Sequence, residues 1–263
     1  MMNSEKTTDK ELRDFNKNRI STVIKNFKKR RMNAYYAEDE LSANNLVFEL
    51  IEQFKGAIPD WKGEIGIADS TTLHQIDLFE RLAKEDLTVY NPFDRLEDGR
   101  YRVFEGQPNE WLPKDVYIPL FNKVFETMRR ALATDVFIAG ANAITRKGDI
   151  VSTDGVGNRL AGVIFGPKKV IMVVGSNKIV GTIDEALDRI KNIAAPLNHI
   201  RHANKHDIQF NKLLELPCVE KGFCHECKHP NCTRRCTMIL QGPVEDMYKD
   251  RIHLIIVGKS LGL

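Results

Sequence analysis

Apolar positions along residues 136–180 bunch together instead of alternating. VFIAGANAI is an apolar run closing in a glycine turn and an Asn. GDIVSTDGVGNRLAGVIFG follows, and KKVIMVVGSNKIV is a second run ending at Gly175, Ser176, Asn177 and Lys178. Runs of this length, rich in Val and Ile and bounded by Gly and Asn, predict buried strands. Continuous apolar runs mark strands covered on both faces, as in a parallel sheet between helix layers. Both runs end in small polar residues, and open α/β sheets bind ligands outside their strand carboxyl ends.

The rest of the pattern supplies flanking elements. Residues 10–31 place Leu12, Phe15, Ile20, Val23, Ile24 and Phe27 at helical spacing. A second helix over 39–55 carries Ala43, Leu46, Val47, Leu50 and Phe54 on one side. A strand at 64–68 runs into Asp69 and Ser70, either able to cap a following helix whose apolar face is Leu73, Ile76, Phe79, Leu82 and Ala83. A strand is expected at 87–93, then a polar loop over 94–113 whose Trp111 can cover a site or simply pack. Helices follow at 116–135 and from Asp184 onward, the latter crossing or bending at Pro196, and RIHLIIVG at 251–258 is a last buried strand. The expected division is an N-terminal helical segment, 1–58, packed on an α/β domain, 59–263, with a cysteine-rich insertion at 217–237.

Composition narrows the class. With 263 residues, 42% hydrophobic and 29% charged, the chain is long enough for a substantial core and ordinary for a soluble protein. A net charge of +3 gives no argument for nucleic acid, and KNFKKRR at 25–31 suits a helix C-terminus. No apolar run reaches membrane-spanning length and the N-terminus lacks a signal-peptide pattern, so the expected location is cytoplasmic. No Gly-x-Gly-x-x-Gly, Walker or Gly-x-Ser-x-Gly motif suggests a dehydrogenase, P-loop NTPase or serine hydrolase.

Two constellations carry candidate chemistry. In TDGVGNR, 153–159, Gly155 and Gly157 permit positive φ and close approach of a ligand. Asn158 can open a helix, Arg159 can grip a carboxylate or phosphate, and Lys178 can add a point charge. Asp154 is the available base, metal ligand or hydroxyl acceptor. The bland account has Asp154 capping a turn and Arg159 pairing with it. The expected site is therefore Asp154, Arg159 and Lys178 as catalytic groups, with Ser70, Thr72, Gly140, Asn142, Gly155, Gly157, Asn158 and Gly175 binding a small anionic metabolite.

The second constellation is Cys218-x5-Cys224-x2-Cys227-x4-Cys232-x3-Cys236, all five cysteines of the chain. Such a cluster in a cytosolic protein points to metal or redox chemistry. Cys-x-x-Cys lets two thiolates converge and downstream cysteines complete a four-thiolate shell, for zinc or for a 4Fe-4S cluster. His225 and His229 can replace a thiolate on zinc. Five cysteines leave one spare, taken as Cys232, so the expected ligands are Cys218, Cys224, Cys227 and Cys236.

These residues resemble the LUD-domain (lactate utilisation) family, in its stand-alone type. The resemblance rests on GIADSTTLHQI, GANAITRKGDIVSTDGVGNRLAGVIFGPKKVIMVVGSNKIV, RIKNIAAPLN, PCVEKGFCHEC and RIHLIIVG, and spans about residues 15–260. It implies a three-layer α/β/α fold like ribose-phosphate isomerase and the CoA transferases, with a Rossmann-like, mostly parallel sheet. It also implies a part in oxidising L-lactate to pyruvate beside iron–sulfur partner subunits. Asn142, Asp154, Gly157, Asn158, Arg159 and Lys178 match its site-like turns, and Cys218, Cys224, Cys227 and Cys236 look like its C-terminal cysteine set. HPNCTRRC is longer than the usual form, which leaves the fourth ligand open between Cys232 and Cys236. Whether the chain is an enzyme or a subunit, and whether it forms a homo-oligomer, stays open. Two other readings compete: a metal-bearing redox or assembly module on an α/β scaffold, and a sugar-phosphate isomerase or CoA transferase by fold analogy.

Overall fold

The computed structural model describes residues 8–108, 110, 112–205, 215–242 and 249–263. Trp111 lies outside them. The centre is a six-stranded, wholly parallel sheet of β1 (Asn33–Ala37), β2 (Glu64–Ile67), β3 (Thr88–Tyr90), β4 (Val136–Ala139), β7 (Lys169–Gly175) and β10 (Ile252–Val257). Its order is β1-β10-β7-β4-β2-β3. The apolar runs divide between two faces residue by residue, because side chains alternate along a strand. Phe137, Ala139, Met172, Val174, Leu254 and Ile256 face one core, shared with α1 (Asp9–Lys29) and α6 (Asn158–Ile164). Ile138, Ile171, Val173, Ile255 and Val257 face the other, under α2 (Glu40–Ala57), α3 (Thr71–Gln75) and α4 (Leu78–Leu82). The result is the expected three-layer, Rossmann-like α/β fold.

A second sheet, of four short strands, had not been expected. β5 (Ala143–Thr145), β6 (Ile150–Asp154), β8 (Ile179–Val180) and β9 (Cys236–Leu240) run in the order β8-β5-β6-β9. Ile144, Ile150, Ile179 and Met238 join the core on the α1 and α6 side. The run VFIAGANAI is therefore two strands in two sheets, parted at Gly140–Asn142.

Other differences are local. Segment 1–58 also supplies β1, which pairs with β10 at the edge of the main sheet, so it is more than two packed helices. The helix expected after Ser70 breaks into α3 and α4 at Asp77, whose φ is +53°. Ser70 is the N-cap of α3 but makes no side-chain capping bond. Asp69 instead meets Arg201 and His74. The helix α5 (Lys114–Ala131) carries Pro119 inside it. The helix from α7 (Ile183–Arg189) widens to a π turn over 190–194 and continues as α8 (Ala195–Lys205). That wide turn precedes Pro196, which has no N–H for an α-helical bond. α9 (Pro217–Lys221) opens the cysteine segment. Among the described residues no helix is long and apolar enough to cross a membrane.

Candidate functional site

The carboxyl ends of β2 and β4, the end of β6 and the turn after β7 meet at a cavity of about 470 Å³. Its polar floor includes Ser70, Asn142, Asp154, Asn158, Arg159 and Lys178. Phe93, Tyr101, Phe121, Phe125, Met128 and Ile190 form an apolar wall, and Asn198, Arg201, Thr233 and Arg234 line the remaining side.

Lys178 sits in a single 3-10 turn, Ser176–Lys178, immediately beyond β7. It is 4% exposed, and its Nζ donates to Thr72 Oγ1 at 3.2 Å. The backbone at Gly262 closes over both groups, so a Cβ there would clash with Lys178 Nζ and Thr72 Oγ1. Burial, with Arg189 and Arg159 nearby, pulls the Lys178 ammonium down to about 7. Arg159, in the first turn of α6, donates from Nη2 to Thr153 O at 2.6 Å and to Asn142 Oδ1 at 3.4 Å. Its Nε is buried with no hydrogen-bond partner among the described residues. Neither Lys178 nor Arg159 pairs with a carboxylate among the described residues. Arg189 adds a third cation close by, bonded to the main-chain oxygens of Asn142, Asn177 and Leu263 at 2.7, 3.2 and 3.2 Å. Lys178 and Arg159 thus put two cations at one end of a partly apolar cavity, neither in an ion pair with an aspartate or glutamate among the described residues.

Asp154 does something else. Oδ1 accepts the Gly155 N–H at 2.8 Å and Oδ2 accepts the Arg159 N–H at 3.1 Å, so the carboxylate tethers the start of α6. It caps the turn but leaves the Arg159 guanidinium unpaired. Gly157 is the N-cap of α6 with φ +96°, a conformation that favours glycine. Gly155 has no positive φ; instead Thr233 packs where a side chain would stand.

Of the expected site residues, Ser70, Asn142, Asp154, Gly155, Asn158, Arg159 and Lys178 share the cavity. Thr72 lies behind Lys178. Gly140 is a packing position, since a Cβ there would collide with Ser70 Oγ, and Gly175 is pressed against the Leu261 backbone. Arg189, the Asp69–Arg201 pair and the aromatic wall went unread in sequence. They come from helices and a loop whose patterns show only ordinary amphipathic or polar character.

The cysteines divide four to one. Cys218, Cys224, Cys227 and Cys232 line a second cavity of about 730 Å³, with His199, His225 and His229. Burial pushes the Cys218 thiol up, and Cys224, Cys232 and Cys227 nearby add to the rise. Cys236 is outside that cavity, on β9 opposite Asp154 of β6. Of the expected ligands, Cys218, Cys224 and Cys227 line that cavity together with Cys232, and Cys236 does not. The reason is register, because pairing of β9 with β6 starts at Cys236 and holds it in the sheet. The donor chemistry suits a thiophilic metal, although among the described residues no three His, Cys, Asp or Glu side chains converge into a ready single-ion site.

The fold and cavity define an α/β protein with a cation-bearing strand-end cavity and a thiol-rich annex. The LUD domain model matches residues 20–257, and the chain belongs to the LUD-domain family, whose family-level role is lactate utilisation. Among solved structures it is similar to a DUF162 family protein from Deinococcus radiodurans, at 12% identity over 92% of this chain and 97% of that one, with a TM-score of 0.44. It is also similar to eIF2B delta from Chaetomium thermophilum, at 13% identity over 53% of this chain and 50% of that one, with a TM-score of 0.25. No curated protein matches the chain.

Proposed function

We propose that this protein is a component of L-lactate oxidation to pyruvate, binding a small anionic metabolite at the strand ends and working beside iron–sulfur partner subunits. The observation that carries the reading is that Lys178 and Arg159 share one cavity and neither forms an ion pair with an aspartate or glutamate among the described residues. Arg159 is placed to hold a carboxylate. Lys178, at about 7, is able to hold or accept a proton near neutral pH, as chemistry at a hydroxyl requires. A cavity of about 470 Å³ falls in the range that takes drug-sized ligands, so a three-carbon acid leaves the aromatic side free for a larger body. Phosphorylated and CoA-type anions therefore belong in the same test. The cysteine annex holds the metal centre in this reading.

The test is thermal denaturation with lactate, pyruvate, a sugar phosphate and CoA in parallel. A ligand that binds only the folded state raises Tm, by the equivalent of about 2.7 kcal/mol at a hundred times its Kd. At least one anion is expected to do so, and Arg159→Ala to abolish the rise. No rise across the panel refutes the reading.

A further inference from the structure

We infer that Cys218, Cys224, Cys227 and Cys232, without Cys236, hold an iron–sulfur cluster whose chamber shares a wall with the anion cavity. This deepens the metal-centre reading above and rests on it for the presence of a metal.

Three of the four sulfurs already receive an N–H donor. His199 Nδ1 lies 3.2 Å from Cys218 Sγ. The Thr233 backbone N–H points at His199 Nε2 from 3.0 Å, so Nε2 is the acceptor, Nδ1 carries the proton and the sulfur is its target. The Glu226 N–H points at Cys224 Sγ and the Arg234 N–H at Cys232 Sγ, each at 3.4 Å. A neutral thiol is a weak acceptor, whereas hydrogen bonds to metal-bound sulfur are among the interactions that tune such centres. Cys236 has no such donor in the described hydrogen bonds.

The backbone is shaped for the same purpose. Glu226 and Lys228, flanking Cys227, both take the left-handed conformation, at φ +55° and +51°. Residues with side chains pay for that conformation, and such outliers gather at functional sites. Here they turn the Cys-x-x-Cys loop so that Cys224 and Cys227 face one chamber, while the Cys224 N–H anchors on Lys191 O at 2.9 Å.

The size of the chamber bears on the kind of metal. A single zinc sits about 2.3 Å from each thiolate and needs no space beyond its own ligand shell. A cluster interposes its own iron and inorganic sulfide between the thiolates, and the chamber of about 730 Å³ that the four cysteines line has room for that body. Lys228, Arg234 and Arg235 line that chamber and offset the negative charge of four thiolates.

The chamber and the anion cavity have Ala195, Pro230, Cys232, Arg234 and Arg235 in common. Thr233, bonded to His199, lines the anion side, so Cys218 reaches that side through two hydrogen bonds.

The test is anaerobic purification of the full chain, with iron, acid-labile sulfide, zinc and the visible spectrum measured for wild type, Cys232→Ser and Cys236→Ser. Circular dichroism checks that each variant is folded. About four irons and four sulfides per chain, with a band that dithionite bleaches, are expected in wild type and Cys236→Ser. Cys232→Ser is expected to lose more than half of both. One zinc and no visible band overturns the cluster but leaves the metal centre standing. No metal in any form overturns both. Loss in Cys236→Ser with retention in Cys232→Ser overturns the ligand set.

Discussion

Replacing Lys178 by Met removes a buried ammonium while keeping most of its volume. The fall from 10.5 to about 7 corresponds to about 5 kcal/mol of destabilisation while the amine stays charged. The folded value is the lower one, so between pH 7 and 10.5 the unfolded chain holds a proton that the folded chain lacks. Wild-type stability therefore rises through that window by about 1.4 kcal/mol per pH unit, and the contribution is flat below pH 7. The variant lacks this slope. Against the gain stands the lost bond to Thr72, about 1 kcal/mol. At pH 6 the Met variant should be the more stable by a few kcal/mol. By pH 9 the gap should narrow by about 2.7 kcal/mol, or about 5–10 °C in Tm for a chain of this size. Thermal melts of both proteins at pH 6, 7, 8 and 9 read this directly. A variant no more stable at pH 6, or a gap that stays constant with pH, refutes the burial of an uncompensated charge. The same variant should lose its response to anions, which ties the strain to binding.

Asp154→Ala should lower stability by about 1 kcal/mol through loss of the tether on α6, while the anion-induced rise in Tm persists; its disappearance would make Asp154 a binding group. Gly162→Ala should cost about 1–3 kcal/mol in urea unfolding, because a Cβ would lie 2.5 Å from the Phe137 ring, and a stabilised variant would contradict that packing. Burial holds the His253 imidazole down at about 4, so the unfolded chain binds the extra proton between pH 6.5 and 4 and stability falls by about 3 kcal/mol as pH drops through that window. In His253→Gln that acid slope should flatten, and an unchanged slope would place the loss elsewhere.

The strands read most plainly in the sequence are those buried on both faces, although the edge strand β3 was also expected, within 87–93. β4, β7 and β10 appear as unbroken Val and Ile runs because each lies between two helix layers. β1 escaped notice since it is a short edge strand with Tyr36 exposed, and its partner β10 lies at the far end of the chain. The second sheet was hidden by strands of two to five residues, too short for a period to show. Arg159 and Lys178 stood out as cations near strand ends. The depth of Lys178 did not, because the cover over it comes from Gly262, 84 positions away in sequence and beyond the last strand. Spacing leaves Cys232 and Cys236 equivalent, and only the point where β9 begins to pair parts them, with Cys236 in the sheet and Cys232 at the second cavity.

The most direct measurement is calorimetric titration of the intact protein with the panel of anions, at pH 6 and pH 9, beside Arg159→Ala. One binding site is expected, which Arg159→Ala removes. Its affinity should weaken by up to about a hundredfold by pH 9, as Lys178 loses its proton above about 7. No heat from any anion, or binding indifferent to both the pH and the substitution, would contradict it.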